Sequence, residues 1–148
     1  MRVLLQRVSR AAVRVREELV AEIGPGLLLL VGVGREDGFG EYDRLAEKVF
    51  NLRVFEDEQG KMNRSLSDVG GEVLVVPQFT LYGSVRKGRR PSWDGAAPPE
   101  LAADRVEAFA RALEARGAAV RRGAFREHME VELVNDGPVT IWIDAAEL

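Results

Sequence analysis

The chain has 148 residues, of which 46% are hydrophobic and 30% are charged, and its formal net charge at pH 7 is −3. This length predicts a single domain, residues 1–148, and the balance of residue types excludes a disordered chain and a membrane-embedded one. The absence of cysteine excludes disulfides and thiol chemistry and indicates a reducing cytoplasm, while the acidic charge argues against a general polyanion binder.

The first third of the chain predicts strands followed by a helix. Val, Leu and Ile dominate Val3–Val8, Ala12–Arg16 and Leu19–Ile23, and we expect the last two segments to form a hairpin through Glu17-Glu18. Gly24-Pro25-Gly26 interrupts the pattern before the continuous apolar run 27–33, which predicts a strand covered on both faces. From about residue 37 to residue 53, Leu45, Val49 and Leu52 recur at helical spacing and predict an amphipathic helix.

The rest of the chain alternates between strand and helix patterns. Residues 73–81 are β-rich but interrupted by Pro77, and residues 99–116 predict a second helix that buries Leu101, Phe109 and Leu113 and stops at Gly117. Residues 129–133 and 139–143 alternate apolar and polar side chains, so they predict two strands joined by the segment 135–138. The expected fold is α+β, a curved β-sheet or partial barrel covered by two main helices.

Several common catalytic arrangements are excluded by the residues present. His128 is the only histidine and no G-x-S-x-G segment occurs, so a serine or cysteine triad is not expected. A single histidine without cysteine also makes a catalytic zinc improbable, and no phosphate loop is present, so we expect no metal and no cofactor. The parity of His128 on its predicted strand places it on the solvent side. Strand periodicity alone makes Phe79 a core residue and Thr80 an ordinary β-branched one.

One basic stretch stands out against the acidic background. Arg86, Lys87, Arg89 and Arg90 lie on a Gly/Pro-containing loop that ends at Trp93. Cations beside an aromatic suit contact with phosphates and stacking on bases, so the loop is a candidate tRNA-binding element, although surface loops often carry such runs without a ligand.

Two segments resemble the paired signature motifs of the D-aminoacyl-tRNA deacylase family. They are Pro77-Gln78-Phe79-Thr80-Leu81 and Asn135-Asp136-Gly137-Pro138-Val139-Thr140, and their order and spacing are also similar to the family's. Further segments that look like family segments extend the resemblance over essentially the whole chain: Gln6-Arg7-Val8, residues 24–34, residues 52–66 and residues 87–92.

The resemblance implies a homodimer that hydrolyses the ester of D-aminoacyl-tRNA and glycyl-tRNA and spares L-aminoacyl-tRNA. It places main-chain groups near Gln78, Phe79 and Thr80 around the scissile ester, and it implies that the substrate's ribose 2'-hydroxyl contributes more than a protein nucleophile. It also implies that Gly137 and Pro138, joined by a cis peptide bond, enter the partner's active site as a chiral filter. We expect Asn135 and Met129 to contribute to the same substrate-binding region.

One departure from the family pattern leaves alternatives open. The first motif begins with serine in the family and with Pro77 here, and proline removes both a hydroxyl and a backbone N–H. Because Gln78–Leu81 are intact, we expect activity to survive. The alternatives are a non-catalytic RNA-binding dimer of the same fold and a hydrolase of small esters that uses Thr80. From turn statistics alone, Gly137-Pro138 would be only a hairpin turn. We expect no partnership with DNA or with a membrane.

Overall fold

The computed structural model covers residues 1–148. Its strands are β1 (Arg2–Val15), β2 (Glu18–Ile23), β3 (Gly26–Gly32), β4 (Phe55–Glu56), β5 (Met62–Arg64), β6 (Glu72–Pro77), β7 (Ala119–Arg122) and β8 (Glu130–Asp144). Its helices are α1 (Glu41–Asn51), α2 (Leu66–Val69) and α3 (Pro99–Ala115), and short 3-10 segments span Phe79–Tyr82 and Ala145–Glu147. The mixed α+β class is confirmed, with the short α2 in addition to the two predicted main helices.

A six-stranded sheet forms the centre of the molecule. Its order is β2-β1-β3-β6-β7, and β8 pairs antiparallel with β1. The sheet is nearly closed, because Met129, which precedes β8, approaches Gly123, which follows β7: a Cβ placed on Gly123 would lie 3.1 Å from the Met129 sulfur. β3, β6 and β7 are mutually parallel, so their C-terminal ends lie at the same end of the sheet.

Hydrophobic side chains fill both faces of the curved sheet. On one face, Leu27, Leu29 and Val73 pack with α1 and α3 in the larger cluster of buried residues. On the other face, Leu28 and Leu74 belong to a smaller cluster inside the curve. The alternation of neighbours between two cores confirms that the apolar run at β3 is covered on both faces.

The two main helices follow their predicted patterns with one error. In α1 the buried side chains are Leu45, Ala46 and Val49. In α3 Phe109 and Leu113 are fully buried, but Leu101 is 38% exposed, which contradicts the expectation that it lies inward. The buried face of α3 starts at Ala102, and a shift of one residue turns a side chain by about 100° around a helix.

Both ends of the sequence form longer strands than the pattern predicts. The two predicted strands at 3–8 and 12–16 are one strand, β1, whose pairing with β8 shifts between Val8 and Arg10, where polar residues interrupt the apolar pattern. The hairpin turn after β1 lies at Arg16 and Glu17, which both have positive φ, 49° and 68°, and so is one residue earlier than predicted.

The segment Asn135–Pro138 is not a hairpin turn, which corrects the prediction of two strands joined there. Val8 pairs with Asn135 and Gln6 pairs with Thr140, so the four residues between Asn135 and Thr140 bulge out opposite one residue, Arg7. The chain keeps its direction through the bulge, because both halves of β8 are antiparallel to β1. The Gly137-Pro138 peptide bond is cis.

None of the helices combines the length and the apolar character that a membrane crossing requires.

Candidate active site

A cavity opens at the end of the sheet where β3, β6 and β7 terminate. Its volume is about 790 Å³. Pro77 and Gln78 at the end of β6, Met129 before β8 and side chains of α3 line it. In open α/β sheets, ligands bind at the carboxyl ends of parallel strands, and this cavity occupies the corresponding position.

The first motif passes from a strand into a turn at the rim of this cavity. β6 ends at Pro77, and the Gln78 N–H donates to the carbonyl oxygen of Val31 at 2.7 Å. The following 3-10 segment makes its first hydrogen bond from the Leu81 N–H to the Gln78 carbonyl oxygen at 3.3 Å. The N–H groups of Phe79 and Thr80 precede this bond and therefore have no acceptor within the turn.

The side chains of the motif do not follow strand periodicity. Phe79 is 54% exposed, so the expectation that it belongs to the core is wrong. Its ring lines the cavity and meets the Trp93 ring edge to face, with centroids 5.2 Å apart. Thr80 is exposed and does not line the cavity, and the only hydrogen bond of its hydroxyl is accepted from the Gln78 side-chain amide.

Pro77 fits the end of β6 without disturbing the sheet. The Glu72 N–H donates to Pro25, just before β3, and the Gln78 N–H donates to Val31 in β3. The N–H groups of the odd positions of β6 therefore point toward β7. β7 ends at Arg122, which pairs with Val75, and position 77 lies beyond that pair. Proline cannot donate to the ladder and is tolerated at such a strand end.

A polar network supports the back of the turn. Arg2 donates to the Leu81 carbonyl oxygen at 3.0 Å, and its guanidinium lies 4.3 Å from the centroid of the Tyr82 ring. The Tyr82 hydroxyl donates to Asp37 at 3.4 Å. Burial, with the Asp37 carboxylate beside it, raises the pKa of Tyr82, so this phenol stays neutral at pH 7. Sequence patterns gave no signal for this network, because its members are distant along the chain.

The close approach between β3 and the turn requires glycine at position 32. A Cβ on Gly32 would lie 2.9 Å from the Gln78 carbonyl oxygen and 3.1 Å from the Leu81 Cβ. Backbone atoms cannot yield as a flexible side chain can, so any larger residue at this position would displace the motif.

Two residues near the start of β8 also belong to the cavity. Met129 is partly buried and lines it. His128 is exposed, which agrees with its predicted solvent-side position, but it also lies on the cavity lining. His128 makes no side-chain hydrogen bond to a hydroxyl, and no group of three or more His, Cys, Asp or Glu residues could hold a metal ion.

The second motif lies apart from the cavity of its own chain. Asn135, Gly137 and Pro138 do not line it, and both Gly137 and Pro138 are exposed. The Asn135 side chain closes the base of the bulge, because its amide donates to the Thr140 hydroxyl at 2.9 Å and its oxygen accepts from the Val139 N–H at 3.1 Å.

Arg7 anchors the bulge from inside, and this residue received no individual role from the sequence. It is only 4% exposed and donates to the Val54 carbonyl oxygen at 2.7 Å and to the Asp136 carbonyl oxygen at 3.1 Å. Gly137 has φ 133°, and a Cβ there would lie 3.1 Å from the Arg7 guanidinium. A side chain at position 137 would therefore be strained by the backbone and crowded by Arg7.

The basic loop leaves the same rim of the cavity. Ser84 and Ser92 pair through two backbone hydrogen bonds of 2.8 and 2.9 Å, which close the base of the loop beside Trp93. The four predicted tRNA-binding cations are exposed, and none forms a salt bridge: Arg86, Lys87, Arg89 and Arg90.

The fold and site define a class of α+β proteins with a nearly closed sheet and a cavity at whose rim a turn leaves main-chain N–H groups without acceptors. A solved structure titled "c-Myc DNA Unwinding Element Binding Protein" shares this fold with a TM-score of 0.91 and 40% identity, over 97% of this chain and 98% of that one. A second, titled as a probable eukaryotic D-amino acid tRNA deacylase, shares the fold with a TM-score of 0.79 at 17% identity, over 96% and 97% of the two chains.

Sequence comparison identifies the family. The profile of the D-Tyr-tRNA(Tyr) deacylase family matches residues 4–144. A protein of Thermomicrobium roseum named D-aminoacyl-tRNA deacylase is 62% identical over 100% of this chain and 96% of its own length. A protein of Symbiobacterium thermophilum with the same name is 59% identical over 98% and 96%. The chain belongs to the D-Tyr-tRNA(Tyr) deacylase family.

Proposed function

We propose that this protein hydrolyses the ester that joins a D-amino acid to the 3' end of a tRNA and releases both products. The observation that carries this proposal is the pair of N–H groups at Phe79 and Thr80, which have no acceptor in their own turn at the cavity rim. Such donors stabilise the oxyanion that forms when an ester carbonyl is attacked, at about 3 kcal/mol each. The substrate class follows from relatives that carry the name D-aminoacyl-tRNA deacylase.

The proposed reaction requires positioning more than a protein nucleophile. Water attacks the ester carbonyl, the bond from the acyl carbon to the ribose oxygen breaks, and that oxygen takes up the proton. The family resemblance implies that the neighbouring ribose hydroxyl of the substrate assists this transfer. Thr80 has no general base beside its hydroxyl, which agrees with a reaction that needs no protein nucleophile. Gln78 orients the turn through its bonds to Val31 and Thr80.

We propose that the working form is a homodimer in which Gly137 and Pro138 of one protomer enter the cavity of the other. Three features support this arrangement: the bulge is exposed, Arg7 holds it firmly, and it lies away from the cavity of its own chain. Val134 and Trp142 on β8 are 41% and 47% exposed and offer apolar surface near the bulge for a partner.

The same arrangement explains the proposed selectivity. A rigid backbone that occupies the space of an L side chain rejects L-aminoacyl-tRNA by exclusion, which requires no recognition of the D side chain. Glycine has no side chain on either face, so glycyl-tRNA passes the filter. We place this activity in the cytoplasm, on a single domain that spans residues 1–148 and uses no metal or cofactor.

The test is single-turnover deacylation of D-tyrosyl-tRNA by the purified protein. Release of D-tyrosine well above the spontaneous rate supports the proposal, and saturable tRNA binding without release supports the alternative, a non-catalytic RNA-binding dimer. Activity on small esters with no RNA, abolished by Thr80→Ala, would support a general esterase instead. Competition with single-stranded DNA is an informative control, since one similar structure is titled after DNA binding.

A further inference from the structure

Two arginines flank the first motif on either side of the cavity. The strand order β3-β6-β7 places β6 between the other two, and all three end at the same end of the sheet. Arg35 follows β3, Arg126 follows β7, and Gln78 follows β6 between them. Both arginines line the cavity together with Gln78.

The backbone fixes where each arginine leaves the fold. The Arg35 N–H donates to the Gly95 carbonyl oxygen at 2.9 Å, beside the bridge between Gly34 and Ala96. Arg126 has φ 59°, in the left-handed region that costs a residue with a side chain about 1 kcal/mol. Such a conformation persists only where the surrounding structure holds it, and Arg126 lines the cavity.

Neither arginine has a carboxylate partner. Other arginines of the protein form ion pairs, such as Arg10 with Glu132 and Arg122 with Glu107, but Arg35 and Arg126 form none. The one carboxylate on the cavity lining is Glu127, and Arg16 lies 3.9 Å from it.

The acidic residues close to the cavity do not offset the positive charge of these two arginines. Glu36 and Asp94 are exposed and close in sequence to the cavity lining, but neither contributes to it. The mouth of the cavity is therefore cationic on a protein whose net charge is −3. A site of this sign concentrates an anionic ligand at the cavity against the overall charge.

We propose that Arg35 and Arg126 bind the phosphodiester groups of the single-stranded 3' end as it leaves the cavity. This inference rests on the proposed function, which places the terminal ester at the turn between the two arginines. Guanidinium groups bind phosphate oxygens through paired hydrogen bonds, and two of them on separate segments would hold the strand in one orientation. The basic loop 86–90 then contacts RNA farther from the ester.

The experiment compares substrates with and without phosphodiesters. D-tyrosyl-tRNA and D-tyrosyl-adenosine present the same ester, but only the tRNA carries internucleotide phosphates. For Arg35→Ala and Arg126→Ala we expect KM for D-tyrosyl-tRNA to rise about tenfold each, equivalent to ~1.4 kcal/mol, with kcat unchanged. We expect kcat/KM for D-tyrosyl-adenosine to stay within twofold of the unmodified protein. We also expect the slope of log tRNA affinity against log salt concentration to become shallower by about 0.7 per arginine.

A matched control and a binding assay separate this inference from the proposed function. Arg111 is 75% exposed on α3 and paired with Glu107, so Arg111→Ala should leave KM for tRNA unchanged. If the variants lost kcat/KM equally on D-tyrosyl-tRNA and on D-tyrosyl-adenosine, or lost none on D-tyrosyl-tRNA, the inference would be overturned. If the unmodified protein cleaves neither substrate, the proposed function fails. Fluorescence anisotropy with a labelled CCA-ended RNA oligonucleotide then still tests the phosphate contact, because the variants must bind it more weakly.

Discussion

Replacement of Arg7 by alanine tests whether this residue holds the second motif in place. The side chain is 5% exposed, and its guanidinium satisfies two backbone carbonyl oxygens, those of Val54 and Asp136. A hydrogen bond from a charged donor contributes about 1.5–3 kcal/mol. The Glu56 and Asp136 carboxylates lie 3.6 and 3.5 Å away but are 58% and 59% exposed, so each adds at most about 1 kcal/mol.

These terms predict that Arg7→Ala lowers the free energy of unfolding by about 3–5 kcal/mol. The measurement is urea denaturation at one fixed protein concentration, since the stability of a dimer depends on concentration. Arg10 lies on the same strand and is 58% exposed in its pair with Glu132, so Arg10→Ala is the matched control and should cost no more than about 1 kcal/mol.

A second readout links Arg7 to function. Arg7→Lys keeps the charge but cannot reproduce the forked geometry that reaches both carbonyl oxygens, so we expect an intermediate loss of stability and a protein that still folds. Because the bulge is loosened in this variant, the ratio of D- to L-aminoacyl-tRNA cleavage by Arg7→Lys should fall below that of the native protein. If Arg7→Ala were as stable as Arg10→Ala, or if Arg7→Lys kept the full D-to-L cleavage ratio, Arg7 would not hold the bulge in place.

Three further predictions concern other parts of the molecule. Thr80→Ala should lose less than about a hundredfold in kcat/KM, ~2.7 kcal/mol, because this hydroxyl has no base; a larger loss would make it a nucleophile. Replacement of Arg89 and Arg90 by alanine should weaken tRNA binding and flatten its dependence on salt, and an unchanged slope would show that the loop does not contact tRNA. The hydrogen bond from Arg122 holds the pKa of Glu107 below its usual range, so the pair stabilises the fold at neutral pH and this stabilisation is lost as pH falls through the lowered pKa. The difference in unfolding free energy between the native protein and Glu107→Gln should therefore shrink from about pH 7 to about pH 3.

The fold was predictable where local periodicity and tertiary packing agree. The apolar spacing in α1, the proline and glycine that bound α3, and the continuous run at β3 each identified the correct element. The prediction failed where pairing partners decide the structure. β8 continues through Gly137-Pro138 because both of its halves pair with β1, and no local pattern contains that information.

The site was predictable only through the resemblance of its motifs. Residue chemistry alone excluded triads and metal centres, but it treated Phe79 as core and Asn135–Pro138 as a turn. The structure ends the strand at Pro77, so the period of two that buried Phe79 no longer applies. Arg7 and Tyr82 act through contacts with residues distant in the chain, and sequence spacing carries no signal for such contacts.

The most direct test of the central claim is the rate of deacylation of one tRNA that carries D-tyrosine, glycine or L-tyrosine in turn. Single-turnover rates at saturating protein remove differences in binding. We expect fast release of D-tyrosine and glycine and a rate for L-tyrosine close to spontaneous hydrolysis, because the backbone of Gly137 and Pro138 would exclude only an L side chain. Cleavage of L-tyrosyl-tRNA as fast as D-tyrosyl-tRNA would contradict the chiral filter, and failure to cleave any of the three would contradict the enzyme assignment itself.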